Sequence, residues 1–359
     1  MNLYISTYLA PYRLDLCERL FCEYGFEIFH YCGKEVPDDV APFLGEYTFR
    51  NNRLPVRCLL GKPYAPGLRS LIERERPSVV LIQEFSLITL QLLRLRRKFG
   101  FRLISICDDS LDMIEGNDFK WTHRIARRWV PRRLDGLVLN SEAVSEWYRA
   151  NFGKGDFLPI LADETRFRQR LAAAVPAASG FRSEAVPDGR KMILFVGRLV
   201  PLKNIPLLME ACLPLKTEAR LVIVGEGECE DAVRKLDADL ELETCFAGAR
   251  FGADLLACYQ AADLLVLPSR QEAFGAVVGE ALMAGCPVAV SKKAGARTLV
   301  REGRNGELFS PDDVASLTDA LRKILARTGD RDVSAVRESL CPETFEESFR
   351  SWINRLVKR

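Results

Sequence analysis

Short, continuous apolar runs alternate along the chain with longer stretches whose apolar positions recur at helical spacing. In the first half, Asn2–Ser6, Phe26–His30, Val79–Gln83, Arg102–Cys107 and Gly136–Asn140 read as strands, with helices over Leu14–Tyr24 and Leu87–Phe99. A second series follows at Met192–Val196, Arg220–Val224, Thr244–Ala247, Asp263–Leu267 and Pro287–Val290. Runs such as LLVLP do not alternate with polar residues, as expected of parallel strands buried on both faces. Such a series predicts an α/β chain with two doubly wound, Rossmann-like domains. Residues 172–190, rich in Ala, Pro, Ser and Gly, read as the linker between a domain over 1–171 and one over 191–341. Residues 342–359 place Phe345, Phe349, Trp352, Ile353 and Leu356 on one helical face, which predicts a helix packed back on the first domain. Ligands of doubly wound sheets bind at the carboxyl ends of the strands, so the expected site is a cleft across which the two domains face each other.

A length of 359 residues agrees with two domains, and 48% apolar with 28% charged residues describes a globular chain. A net charge of +2 argues against a dedicated nucleic-acid binder. The 11 cysteines include no C-x-x-C and several lie in apolar runs, which points to free thiols in a reducing compartment. Only His30 and His123 occur, without metal-ligand spacing, so no histidine-ligated zinc is expected. The N-terminal residues lack signal-peptide character and no apolar run is long enough to span a bilayer. The expected location is cytoplasmic, or peripheral on the cytoplasmic face of a membrane.

Two stretches carry chemistry. In ILFVGRLVPLKN (193–204) a strand ends, Gly197 allows a tight turn, Arg198 and Lys203 sit in that turn, and a helix starts at Asn204 as N-cap. Free backbone N–H groups beside two cations suit a phosphate or diphosphate, and the stretch equally fits two solvated loop charges. In PSRQEAFGAVVGEALMAGCPVAVS (268–291) Glu272 lies in a loop and Glu280 about two turns inside a helix starting near Phe274. A carboxylate accepts hydrogen bonds from vicinal hydroxyls, while Gly275 and Gly279 permit close approach. On spacing alone, two unrelated surface glutamates fit as well.

Together with LVIVGEG, FAG, LLACYQAADLLVLPS and GRNGELF, these stretches resemble the nucleotide-sugar domain of glycosyltransferase family 4, a retaining group with the GT-B fold, over residues 193 to about 325. The first half resembles it more weakly, through YLAPYR, LDGLVLNSEAV and PILADETRF. The resemblance implies that Arg198 and Lys203 neutralise a donor diphosphate and that Glu280 holds the ribose hydroxyls. It places Glu272, with the backbone of Ala273, Phe274 and Gly275, beside the transferred sugar, and it puts the nucleobase near Phe246–Arg250. The implied reaction is retaining transfer of a hexosyl unit from a nucleoside-diphosphate sugar to a hydroxyl of a glycan or lipid-linked acceptor, in cell-envelope or secreted polysaccharide synthesis. No cofactor and no obligatory metal are expected, since the protein supplies the cations. A sugar-nucleotide 2-epimerase on the same fold and a non-catalytic donor-binding protein are the alternatives.

Two positions depart from the family pattern. Cys107, followed by Asp108 and Asp109, stands where a histidine is common, and Thr298 stands where a glutamate is common. Asp108 and Asp109 read equally as functional groups or as a helix cap, and Arg13 reads as a ligand contact. VGEGECE (224–230) lacks the third glycine of a dinucleotide fingerprint and reads as a strand-end turn. KWTHRIARRWVPRRL (120–134) interleaves Lys120 and five arginines with Trp121, Ile125 and Trp129. It fits a helix lying on an anionic membrane, or a surface helix whose tryptophans face the core.

Overall fold

In the computed structural model, which describes residues 1–32, 40, 44–59, 61–115, 121–329 and 332–358, the alternating pattern becomes two βα series. Residues 1–159 with those from 349 onward form one unit, and residues 160–348 form the other.

In the first unit the strands are β1 (Asn2–Ser6), β2 (Phe26–His30), β3 (Asn51–Arg53), β6 (Val79–Gln83), β7 (Arg102–Cys107), β8 (Gly136–Leu139) and β9 (Asp156–Phe157), with a separate hairpin of β4 (Arg57–Leu59) and β5 (Lys62–Tyr64). The seven pair in parallel in the order β3-β2-β1-β6-β7-β8-β9. The chain runs outward from β1 to one edge, then restarts at β6 and runs to the other. The carboxyl ends of β1 and β6 are therefore the switch point where doubly wound sheets bind ligands. Helices α1 (Leu14–Tyr24), α2 (Leu68–Glu75), α3 (Leu87–Phe99), α4 (Leu111–Glu115), α5 (Trp121–Trp129) and α6 (Glu142–Phe152) connect the strands. Among strand residues, Leu3, Ile5, Val80, Ile82, Leu103 and Leu137 anchor its core.

The second unit repeats the plan. It opens on α7 (Glu164–Ala185) and pairs β10 (Lys191–Val196), β11 (Ala219–Val224), β12 (Cys245–Gly248), β13 (Leu264–Leu267), β14 (Val288–Ser291) and β15 (Gly306–Phe309) in the order β12-β11-β10-β13-β14-β15. Its switch point lies between β10 and β13, registered Ile193 to Leu264 and Leu194 to Leu265. Helices α8 (Ile205–Cys212), α9 (Glu230–Leu240), α10 (Gly252–Ala261), α11 (Ala276–Met283) and α12 (Val314–Arg327) cover it. Strands β10, β11, β13 and β14 are buried almost throughout, as their unbroken apolar runs require.

The linker reading of 172–190 is corrected: residues up to Ala185 belong to α7, and the two units divide at Pro159 and Ile160. Alanines favour helix, and Phe167, Leu171, Ala174, Ala178 and Ala185 are buried, so tertiary packing overrides the cost of Pro176 inside the helix. Arg182 ties α7 down by donating to Asp263 Oδ2 at 2.8 Å and to the Ala261 carbonyl at 2.5 Å.

The final helix, α13 (Phe345–Lys358), buries Phe345, Phe349, Trp352 and Ile353. Phe349 meets Tyr24 of α1 edge-on at 5.9 Å and lies under Arg19, and Arg355 pairs with Asp156 at 3.4 Å. The side chain of Leu356 and residue Lys120 lie outside the described residues. No helix among the described residues is long and apolar enough to cross a membrane.

Candidate functional site

At the switch point of the second unit, the turn after β10 and the loop after β13 lie side by side. Gly197 (φ +154°) releases the chain from β10, and its N–H donates to the Val224 carbonyl at 3.0 Å. The turn after β11 packs directly beneath. A Cβ on Gly225 would stand 2.0 Å from the Gly197 carbonyl oxygen, and one on Gly227 would stand 2.4 Å from that of Leu199. The glycines of VGEGECE thus serve contact between two turns, and the Glu226 carbonyl accepts from Leu199 N–H at 2.9 Å.

Arg198 is exposed, and its guanidinium has no hydrogen-bond or ion-pair partner among the described residues. Lys203 crosses from the same turn to the other motif, where its ammonium is ion-paired with Glu272; Ser269 Oγ also donates to that carboxylate at 3.2 Å. The second cation of one stretch and the first glutamate of the other are therefore partners. Asn204 does not cap α8 with its side chain: it holds a left-handed φ of 52°, and its amide donates to the Pro311 carbonyl at 2.8 Å.

Helix α11 starts at Ala276, two residues later than its pattern suggests, because Gly275 takes a φ of +98° that other residues rarely adopt. A Cβ there would stand 2.5 Å from Leu267. The backbone N–H groups of Ala273, Phe274 and Gly275 find no acceptor among the described residues, whereas the loop's carbonyls are engaged: Gly295 N–H donates to Glu272 O at 3.1 Å and Ala296 N–H to Phe274 O at 2.8 Å. Three free donors preceding a helix N-terminus, with two cations nearby, can hold an anion.

With the later start, Glu280 lies about one turn inside α11 instead of two. Its half-buried carboxylate accepts from the buried Tyr259 hydroxyl at 2.6 Å. Burial pushes the Glu280 carboxyl above the ordinary range, and the Tyr259 hydrogen bond opposes the shift. Tyr259 was not legible as a site residue, because it sits inside the apolar run before β13. Arg250, half-buried, donates through Nε to the Ala247 carbonyl at 3.1 Å, and Thr298 Oγ1 donates to Gly295 O at 3.3 Å.

The first unit gathers a second cluster at its own switch point. Arg13, 5% exposed, is ion-paired with Asp108. Asn140 Nδ2 donates to that carboxylate at 3.1 Å and Gln83 Nε2 at 3.3 Å. Asp109 is turned inward, accepting from Arg127 and from Tyr148 Oη at 2.8 Å. Among the described residues, neither aspartate makes the side-chain bonds of a helix cap.

Glu84, at the end of β6, carries no motif and was missed in the sequence. Its Oε1 accepts from Asp108 N–H at 2.9 Å. Burial, then Asp109 and Asp108, push its carboxyl up to about 8, against the Asp108 N–H and Arg127. Arg13 Nε and Asn140 Oδ1 are buried without partners among the described residues. Cys107 is fully buried in the core of β7, its thiol raised first by burial and then by Glu84 and Asp109. It is a neutral packing residue.

Residues 179–335 match the model of the family described as Glycosyl transferases group 1. D-inositol 3-phosphate glycosyltransferase of Nocardia farcinica is 32% identical over 228 residues, 59% of this chain and 49% of that protein. GDP-mannose-dependent alpha-mannosyltransferase of Mycolicibacterium smegmatis is 35% identical over 226 residues, 57% of this chain and 58% of that protein. The chain spans about half the length of the curated relatives it matches. The crystal structure of Anabaena Alr3699/HepE in complex with UDP superposes with a TM-score of 0.78 at 17% identity, covering 100% of both chains. The fold is that of GT-B glycosyltransferases, with two Rossmann-like units in one chain.

Proposed function

We propose that this chain, a glycosyltransferase by fold and by the sequence of its second unit, moves a hexosyl unit from a nucleoside-diphosphate sugar to a hydroxyl acceptor with retention at the anomeric carbon. The observation that carries the reading is the meeting of the two motif stretches at one switch point: Lys203 paired with Glu272 and, among the described residues, Arg198 without a partner and three free amides before α11. That arrangement suits a diphosphate, with Arg198 and Lys203 stabilising the charge that develops as it departs. In the step, the bond from the anomeric carbon to the diphosphate oxygen breaks with its electron pair going to the diphosphate. The acceptor oxygen bonds the same face of that carbon, and its proton passes to the leaving phosphate.

In this reading Glu280 receives the ribose hydroxyls, Glu272 lies beside the sugar, and Gly197 and Arg250 flank the nucleotide. Arg13, Asp108 and Asp109 serve the acceptor side. The product is a cell-envelope or secreted polysaccharide. The protein's own cations take the place of a metal, so a chelator leaves donor binding unchanged.

A thermal-shift screen of UDP-, GDP- and ADP-sugars with chelator present tests the reading. A donor at about 100 times its Kd stabilises the native state by about 2.7 kcal/mol, so one nucleotide class raises Tm clearly. A flat response across all three contradicts it.

A further inference from the structure

Helix α5 presents to solvent what a surface helix ordinarily hides. Trp121, Ile125 and Trp129 follow one another at four-residue spacing, so they share one face, and they are 71%, 56% and 42% exposed. The tryptophans are therefore not core residues. The inward side of the helix is fixed by Arg127, whose guanidinium is paired with buried Asp109. The exposed Arg124 and Arg128 flank the apolar stripe and have no side-chain partner among the described residues.

At Trp129 the stripe runs into an open groove of about 1070 Å³ that contains six arginines and Lys154, with Asp135 as the one carboxylate among its lining residues. Asp135 is already bound to Arg96 at 2.5 Å. Arg133 stacks on Trp129 with its guanidinium carbon 3.5 Å from the ring centroid. Arg94 and Arg97 stand exposed, again without partners among the described residues. Arg102 opens β7 and Asp135 precedes β8, so the groove lies at the amino end of the sheet. Asp108 and Asp109 lie at the other end, about 20 Å away along the six residues of β7.

We propose that this face docks on an anionic membrane, with Trp121, Ile125 and Trp129 inserted at the interface and lipid phosphates seated in the arginine groove. Exposed tryptophans prefer the boundary between headgroups and acyl chains, and clustered arginines complement a negatively charged leaflet. The proposal is independent of the glycosyl-transfer reading, which the donor screen tests separately.

Co-sedimentation with mixed phosphatidylglycerol and phosphatidylcholine vesicles, against phosphatidylcholine alone, tests it. The wild-type chain should pellet with the mixed vesicles at low salt, stay in solution with phosphatidylcholine, and leave the anionic vesicles as salt rises. Combining R94A, R97A and R128A should weaken partitioning about fivefold per arginine, on the order of a hundredfold in all. W121S with I125S should also release the protein. Both variants should keep the wild-type Tm and the donor-induced shift, since these side chains are exposed. Wild-type protein that ignores anionic vesicles at low salt overturns the proposal. So does a triple variant that binds like wild type, or unfolding of W121S/I125S. Inorganic phosphate that raises Tm while vesicles fail to bind would make the groove a site for a soluble anion instead.

Discussion

At Glu280, burial lifts the carboxyl above the ordinary range while the hydrogen bond from Tyr259 partly offsets the shift. A raised folded value favours the neutral form, so this group's contribution to stability is full below the unfolded value of about 4.3 and fades as pH rises through the folded value. Glu280→Gln, neutral at every pH, should therefore raise Tm near pH 7 and match wild type near pH 4. The same change removes a charge-assisted acceptor for ribose hydroxyls. It should weaken a free nucleoside diphosphate by about 1.5–3 kcal/mol, roughly tenfold or more. Glu272→Gln should spare that affinity and lower transfer. Calorimetry of both variants with the free nucleotide checks this, and equal losses would show that Glu272 is misplaced. The two glutamates were legible because their spacing is a motif, whereas Glu84 and Tyr259 were not. Their character comes from neighbours distant in sequence: Asp108 and Asp109 beside Glu84, and Glu280 beside Tyr259.

Among the elements, the ten strands read from continuous apolar runs match the structure to within one residue at either end, whereas β3, β4, β5, β9 and β15, short or without such a run, were not read. Helix starts were less legible. Gly275 delays α11 through its backbone conformation, and Asn204 begins α8 while its side chain serves Pro311. The part of α7 from residue 172 onward was read as a linker because Pro176 and Gly180 interrupt it and its buried positions follow no strong amphipathic stripe. What holds it is packing and the Arg182 pair with Asp263, whose carboxylate is fully buried and also accepts from Met192 N–H at 2.7 Å. Removing one partner of a buried pair strands the other charge. Arg182→Ala should thus cost about 3 kcal/mol, measured by urea or thermal unfolding. An unchanged Tm would mean that α7 is held by its apolar contacts alone.

For the molecule as a whole, two parallel sheets each restart beside their first strand, and both restarts carry the residues of interest. Alternation of apolar runs and helical stretches made this architecture legible, and the motif stretches fell on the second switch point. The first unit's cluster was only half legible. Arg13, Asp108 and Asp109 could be placed at strand ends, but which of them would be ion-paired, and with what, depends on tertiary contacts. The central claim is that the charge of a departing diphosphate is met at the second switch point by Arg198 and Lys203. Release of nucleoside diphosphate from the donor found by the thermal screen tests it most directly, in wild type, Arg198→Ala and Lys203→Ala. Each variant should fall by at least about a hundredfold in kcat/KM, roughly 2.7 kcal/mol. Arg198→Ala should keep Tm close to wild type because its side chain is exposed, whereas Lys203→Ala leaves the mostly buried Glu272 without its ion-pair partner and should lower Tm without unfolding the chain. Near-normal turnover in both variants would contradict the account.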